Sequence, residues 1–416
     1  MNIHQVPCLR ILLPFISGII LGWLFLSDTL ALFFAITGLT VWLIALFKER
    51  DRLYNNRHIK GIAITLLFIA AGIGVYNNTL PLSFEKEHTN KHSTLEIKAL
   101  QIRENLIDIY RRYVSDENIP ILSAITLGKK DEISKETKSN FSLSGGSHVL
   151  AVSGLHVGII YMILLWLAGL IPYRRWLFVT AHISVILCLW LYAFICGLPA
   201  SVVRSSLMFS LVSGAFITER QNLSLNSVFV SAFIMLLYKP LYLFDIGFQL
   251  SYSAVISILL FYPKISALFA FKNKILVWAW GMIAVSVAAQ IGTLPLTLFY
   301  FHKMPVYSLL TNFLVIPAAF FIIYSGASLL ALNWWNDVAE YIGRIINFLT
   351  TILQDGVRTI VELPYSVIDG IYIMPCTVAA LYSIIISTWF FIETKKCRFL
   401  QTALCLIISI QVADLI

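Results

Sequence analysis

The sequence predicts an all-α, polytopic integral membrane protein with about ten to twelve transmembrane helices, some broken or re-entrant, plus amphipathic helices. Three observations carry this. Of 416 residues, 59% are hydrophobic and only 12% are charged, with a mean hydropathy of +0.83, whereas soluble chains average about 25% charged residues. Apolar runs of spanning length recur from one end to the other, and long windows carry no charge at all. A water-soluble multidomain enzyme is excluded. The six cysteines, Cys8, Cys188, Cys196, Cys376, Cys397 and Cys405, form no CxxC pair and mostly sit in apolar runs, so neither a disulfide framework nor a zinc site is indicated.

A spanning helix needs about 20 apolar residues. Such runs lie near 9–26, 29–47, 61–80, 148–171, 176–196 and 200–217, and then near 222–243, 248–262, 275–300, 306–332, 371–392 and 399–413. The first begins after Arg10 as a signal peptide would, but no small-residue cleavage site follows Leu26, so it is read as retained. The basic loop with Lys48, Arg50, Arg52, Arg57 and Lys60 predicts a cytoplasmic side there, and with it a cytoplasmic N-terminus. The polar stretch 82–141, with ten basic and ten acidic residues, then falls outside. Its Leu95, Leu100, Ile102, Leu106, Ile109 and Tyr113 predict an amphipathic helix, closed by Pro120.

Arg174 and Arg175, and later Lys264, Lys272 and Lys274, mark further cytoplasmic loops. Alternation would place Lys395, Lys396 and Arg398 outside, so one run is expected to cross incompletely or a crossing is missing. Pro295, Pro305 and Pro317 make 286–332 the first place to expect broken helices. In the segment from Ala339 to Pro364, one stripe of Ile342, Ile345, Ile346, Leu349, Ile352, Leu353 and Ile360 lies beside Arg344, Asp355, Arg358 and Glu362. That pattern predicts an amphipathic helix in the membrane interface. The resulting partition is three N-terminal spans over 1–80, an extracytoplasmic helical linker over 81–122, a central membrane domain over 123–393 and a last helix over 394–416.

Polar groups inside apolar runs are costly and mark sites when they persist. Four clusters stand out. In GSHVLAVSGLHVGII, Gly146–Ile160, a helical reading places Ser153 and His156 about 60° apart and His148 and His156 about 80° apart, on one broad face. Helix packing through Ala151, Gly154 and Gly158 is the plainer alternative. In GLPASVVRSSLM, Gly197–Met208, Arg204 sits about a turn into a helix among Ser201, Ser205 and Ser206, where it either snorkels to headgroups or lines an anion path. In FDIGFQLSYSAV, Phe244–Val255, Asp245 and Gln249 are spaced i, i+4, with an N-cap as the alternative for Asp245. The fourth holds Gln290, Gly292, Thr293 and Pro295, then Asn312 and Pro317; these amides line a polar passage or glue helices together. No nucleotide-binding loop or metal-ligand spacing occurs, so no cofactor, metal site or ATP-driven step is expected.

In order and spacing, SHVLAVSGLHVG, PASVVRSSLM, FDIGFQLSYSAV and the Gln290–Pro295 block with TNFLVIP resemble the signature blocks of the ComEC family of competence proteins. Leu127 and Gly128 fit that family's approach to its membrane domain. The resemblance covers about residues 123–393. It implies an inner-membrane, multi-pass channel that conducts one DNA strand inward, with His148, Ser153, His156, Arg204, Asp245, Gln249, Gln290 and Asn312 along the translocation path and no catalytic residue. The implied partners are single-stranded DNA, the lipid bilayer, and separate competence proteins supplying receptor, nuclease or motor functions. Many members carry an OB-type domain and a metallo-β-lactamase-like nuclease; residues 82–141 read as helical and too short for the first, and the ligands of the second are not found, so nuclease activity is not expected. Two other classes compete. A secondary transporter of a small anion would use Asp245 or a histidine for protons. An intramembrane serine hydrolase would use Ser153 with His148, His156 or His182 as base.

Overall fold

The computed structural model describes residues 7–49, 57–88, 94–170, 174–218 and 224–415. The chain divides into two units, one formed by Met1–His92 with Asn222–Gln249 and the other by Ser93–Gln221 with Leu250–Ile416. The chain is an all-α polytopic membrane protein. Among the described residues, eight helices are long and apolar enough to cross a membrane, and four more contain shorter apolar stretches.

The first unit holds α1 (Leu9–Phe25), α2 (Asp28–Glu49), α3 (Arg57–His88) and α10 (Ser224–Tyr238). α1 crosses α3 where Gly18 meets Gly72, so close that a Cβ on either would strike the other helix's backbone, at Ile69 O and Phe15 O respectively. Small residues at a crossing are how helices associate in lipid, where apolar side chains gain nothing by leaving it. Phe15 then meets Phe233 of α10 edge-on at 4.9 Å, and Asn226 accepts the Cys8 N–H that opens α1. The basic loop used to orient the chain lies largely at 50–56, outside the described residues.

The second unit contains α4 (Thr94–Tyr113), α5 (Ile119–Leu127), α6 (Lys135–Leu143), α7 (Gly154–Gly169), α8 (Arg175–Ile195) and α9 (Ala200–Ile217). It continues with most of α11 (Ile246–Ser266), then α12 (Lys274–Phe301), α13 (Ser308–Leu332), α14 (Asn336–Val361), α15 (Pro375–Thr394) and α16 (Cys397–Leu415). Its core is α5, buried along its whole length, against α13, α14 and α4. A two-strand ribbon, β1 (Lys303–Pro305) and β2 (Val367–Asp369), is antiparallel with Lys303 opposite Asp369.

Four expectations need correction. Pro120 does not close the amphipathic helix, which ends at Tyr113; it opens α5, where a missing N–H costs nothing. In 286–332 only Pro305 lies at an interruption, in the short strand between α12 and α13; Pro295 and Pro317 break nothing. α12 runs through Pro295 and α13 through Pro317, with side chains from Thr293, Thr297 and Tyr382 bonding carbonyls of α12 at Ala289, Thr293 and Gly292. The run at 148–171 becomes helical only at Gly154. Finally, α14 is amphipathic as predicted, but its stripe divides: Ile346, Leu353 and Ile360 are buried in packing against α4, α5, α6 and α13, while Ile345 and Ile352 stay exposed.

Candidate functional site

Between α6 and α7 the chain runs for ten residues without regular structure, although Val149, Leu150 and Val152 are buried. A buried loop must find partners for its backbone, and here small polar side chains supply them. Gly145, at φ +84°, touches the ribbon's end: a Cβ there would stand 3.0 Å from Pro305 Cγ and from Ser308 Cβ. Buried Thr311 of α13 donates to the Ser144 carbonyl at 2.8 Å, and His148 Nδ1 donates to the Gly145 carbonyl at 3.2 Å. Ser308 in turn accepts from Gln290 Nε2 of α12 at 2.9 Å. The loop thus brings His148 and Gln290 to the start of α13. One turn on, Asn312 Nδ2 donates to Ser286 Oγ of α12 at 3.3 Å, while its Oδ1 is buried with no hydrogen-bond partner among the described residues.

At its other end the loop meets α9. Ser201 donates to the Val152 carbonyl at 2.7 Å, and Gly154 comes so close to α9 that a Cβ would be 3.1 Å from Ser205 Oγ. Arg204, one turn into α9, is buried with 4% of its surface exposed. Full burial of a charged residue in an apolar bundle is the feature snorkelling would remove, so the headgroup reading fails for Arg204.

Ser153 caps α7. Its backbone is extended, and His156 reaches back so that Nδ1 accepts the Ser153 N–H at 3.1 Å, with Ser153 Oγ at 2.9 Å from the same nitrogen. This is a capping box with histidine in the usual glutamate position. It corrects the shared helical face drawn for His148 and His156, because His148 precedes the helix and turns to Gly145 instead. His182 is spent on its own helix, Nδ1 donating to the Phe178 carbonyl at 3.0 Å.

Asp245 and Gln249 belong to the first unit. Asp245 lies between a 3-10 turn, Pro240–Phe244, and α11, with an exposed side chain that accepts the Phe248 N–H at 2.7 Å. It is an N-cap, not a helical i, i+4 partner of Gln249, whose Nε2 donates to the Leu243 carbonyl at 2.9 Å. Sequence reasoning missed Ser144, Ser257, Ser286, Ser308 and Thr311. Ser257 of α11 donates to the Ala288 carbonyl of α12 at 2.6 Å, beside Gly292, where a Cβ would be 2.5 Å from the Ser253 carbonyl. Single hydroxyls in apolar runs read as packing, and only the shared turn of Gly145 and Gly146 hinted at a meeting point.

Fold and site together define a polytopic membrane protein in which one irregular, polar-bonded loop gathers side chains from α7, α9, α12 and α13. The chain belongs to the competence protein family, whose model it matches over residues 125–395. It is 28% identical to ComE operon protein 3 of Bacillus subtilis (strain 168) over 276 residues, 62% of this chain and 34% of that protein. It is 29% identical to an uncharacterized protein of Aquifex aeolicus (strain VF5) over 258 residues, 60% of this chain and 59% of that one. It is also 24% identical to Recombination protein 2 of Haemophilus influenzae over 247 residues, 55% and 31% of the two chains. The chain spans about a third of the length of the two named relatives. No solved structure matches it.

Proposed function

We propose that this chain is the membrane channel of a DNA-uptake system, passing a single DNA strand across the cytoplasmic membrane during competence and transformation. It sits there as a multi-pass protein with its N-terminus inside. The observation that carries the reading is the loop at 144–153 within the family-matched region: buried, irregular, bonded to α9 by Ser201 and to α13 by Thr311, and packed at Gly145 against Ser308, which itself accepts from Gln290 of α12. Non-helical backbone at membrane depth is tolerated only inside protein or beside a water-filled cavity. The side chains gathered there are hydroxyls, amides and histidines with one buried arginine, a surface that lets a polyanion pass without the strong phosphate neutralisation that produces tight binding. A separate polypeptide supplies strand degradation, receptor or motor functions in this reading.

The test is accumulation of labelled DNA in the cytoplasm of the native cell, comparing the deletion, the restored gene, and Arg204→Ala at matched membrane level. Loss in the deletion and in Arg204→Ala, with DNA still held outside, supports the reading. Unchanged uptake in the deletion sinks it.

The 2.9 Å contact between Ser153 Oγ and His156 Nδ1 favours one second reading, an intramembrane serine hydrolase. Against it, the Nδ1 lone pair already accepts the Ser153 N–H, so a base role requires breaking the cap of α7. Fluorophosphonate labelling that disappears in Ser153→Ala would establish it; no labelling retires it.

A further inference from the structure

α14 has the surface of neither a lipid-facing span nor a buried one. It turns back from α13 at Trp334 and Trp335, where the Trp335 N–H donates to the Leu332 carbonyl at 3.0 Å. Near its far end, a Cβ on Gly356 would strike Leu314. Residue 336 therefore lies beside 332 and residue 356 beside 314, so the two helices run antiparallel for about 27 Å at 1.5 Å per residue, close to the thickness of a bilayer's hydrocarbon core.

The two helices differ in what they expose. α13 has no charged residue, and its exposed Leu310, Phe313, Phe320, Phe321 and Tyr324 form one stripe that suits lipid. α14 buries Ala339, Gly343, Ile346, Thr350, Leu353, Val357 and Ile360 on one face. Along another it exposes Glu340, Arg344, Thr351, Asp355, Arg358 and Glu362, and a third, adjoining face exposes Tyr341, Ile345, Phe348 and Ile352. Arg344 pairs with Glu340 at 2.7 Å and Arg358 with Glu362 at 3.1 Å, yet all four side chains are at least 62% exposed. Between these pairs the polar line widens into a network: Asn347 Oδ1 accepts from Ser115 Oγ at 2.6 Å and from Asn118 Nδ2 at 3.1 Å, and Gln354 Nε2 donates to Asn118 Oδ1 at 2.9 Å.

A helix that accompanies a span through the hydrocarbon cannot turn ion pairs and a row of amides and hydroxyls to lipid. Water must reach it at every level. We propose that the polar face of α14, from Glu340 to Glu362, is one wall of a water-filled path through the membrane, with α13 behind it holding off the lipid. The cargo of that path rests on the channel reading above; its water does not. The alternation of acid and base leaves the wall nearly neutral, which suits transit of a phosphate chain over capture.

The experiment uses the full chain in native membranes, with the six native cysteines replaced by serine and single cysteines at Arg344, Thr351 or Arg358 of α14 and at Phe313 or Phe321 of α13. A charged, membrane-impermeant methanethiosulfonate should modify all three α14 positions, mid-helix Thr351 included, at least about tenfold faster than the α13 positions, because hydrocarbon suppresses the thiolate. A bimane on Phe321 should be quenched more by lipids brominated near the chain ends than a bimane on Leu310, as a spanning α13 requires. Thr351 reacting as slowly as Phe321 would overturn the wall. So would fast reaction at all five positions, which places the hairpin outside the bilayer, or equal quenching at Leu310 and Phe321, which lays it flat. Thr351→Cys is a small change at an exposed site, and Asp355→Cys, one turn on along the same polar line, provides a second position if Thr351→Cys does not accumulate. Lost DNA uptake on gene deletion together with a slow Thr351 would remove the wall and keep the channel, whereas a fast Thr351 with DNA uptake unaffected by deletion would keep the path and remove DNA as its cargo.

Discussion

The α1–α3 crossing and the loop from Ser144 to Ser153 are both places where backbone approaches backbone inside an apolar protein, but they are held in opposite ways. At the crossing, Gly18 and Gly72 let two regular helices touch, and each backbone group is already satisfied within its own helix. At the loop, helix is abandoned, and carbonyls of Ser144, Gly145 and Val152 are satisfied by Thr311, His148 and Ser201. Apolar helix contacts need only shape. An irregular segment needs named partners, and a membrane protein retains such a segment where it has a use for it.

This contrast can be broken from either side. The largest effect is expected at the crossing, where Gly18→Val drives a side chain into the Ile69 carbonyl; overpacking costs about 1–3 kcal/mol and often more, read as lost folded protein in a detergent melt. Gly74→Ala, with nothing within 4 Å of the added Cβ, should melt as the native chain does. At the loop, Thr311→Val keeps the volume and orphans the Ser144 carbonyl, at about 1–3 kcal/mol. The melt should fall and amide exchange should quicken at 144–153, with Thr311→Ser restoring both. Equal melts for valine and threonine would show that shape alone holds the loop.

Asp245 gives a smaller and more discriminating effect. As an N-cap it should lose about 1 kcal/mol on replacement by alanine and almost nothing by asparagine. A role for its charge in transport reverses the second result: DNA uptake would fall in Asp245→Asn while the melt stayed put.

The smallest effect is expected at Lys129, which lies in none of the helices long and apolar enough to cross a membrane. Lys129 Nζ bridges Glu104 at 2.7 Å and Glu132 at 2.9 Å, tying the segment after α5 to α4. Burial opposes its charge and is the largest single influence, but the hydrogen bonds and charges of the two glutamates together outweigh it and raise its pKa above 10.5. A raised lysine stabilises the fold below its unfolded pKa and ceases to as pH climbs through the folded one. Lys129→Met should therefore cost about 0–1 kcal/mol at neutral pH and nothing once the native lysine has itself deprotonated.

Much of this was legible in the residues. Charge-free runs revealed the spans, and the polar clusters contain His148, Ser201 and Gln290, but not the Ser144, Ser308 and Thr311 that tie the loop and α12 to α13. Where the reading failed, local pattern was ambiguous. SHVLAVSG is apolar enough to pass for the start of a helix, and only its burial against α9 and α13 keeps it irregular. Proline is a local break signal at Pro120, Pro295 and Pro317, yet one opens a helix and two ride inside helices. The stripe on α14 was visible, but a stripe does not say whether lipid or protein covers it.

Passage of a single DNA strand through this chain, as proposed, can be tested in a purified system. The direct measurement is arrival of a fluorescent single-stranded oligonucleotide inside proteoliposomes holding the purified full-length protein, with external label destroyed by added nuclease before counting. A single-strand channel should give nuclease-protected label that depends on the protein, falls in Arg204→Ala, and is not matched by a duplex of the same length. Protected label no greater than in empty liposomes, while a small anion equilibrates through the same vesicles, would contradict it and make the chain a small-solute transporter.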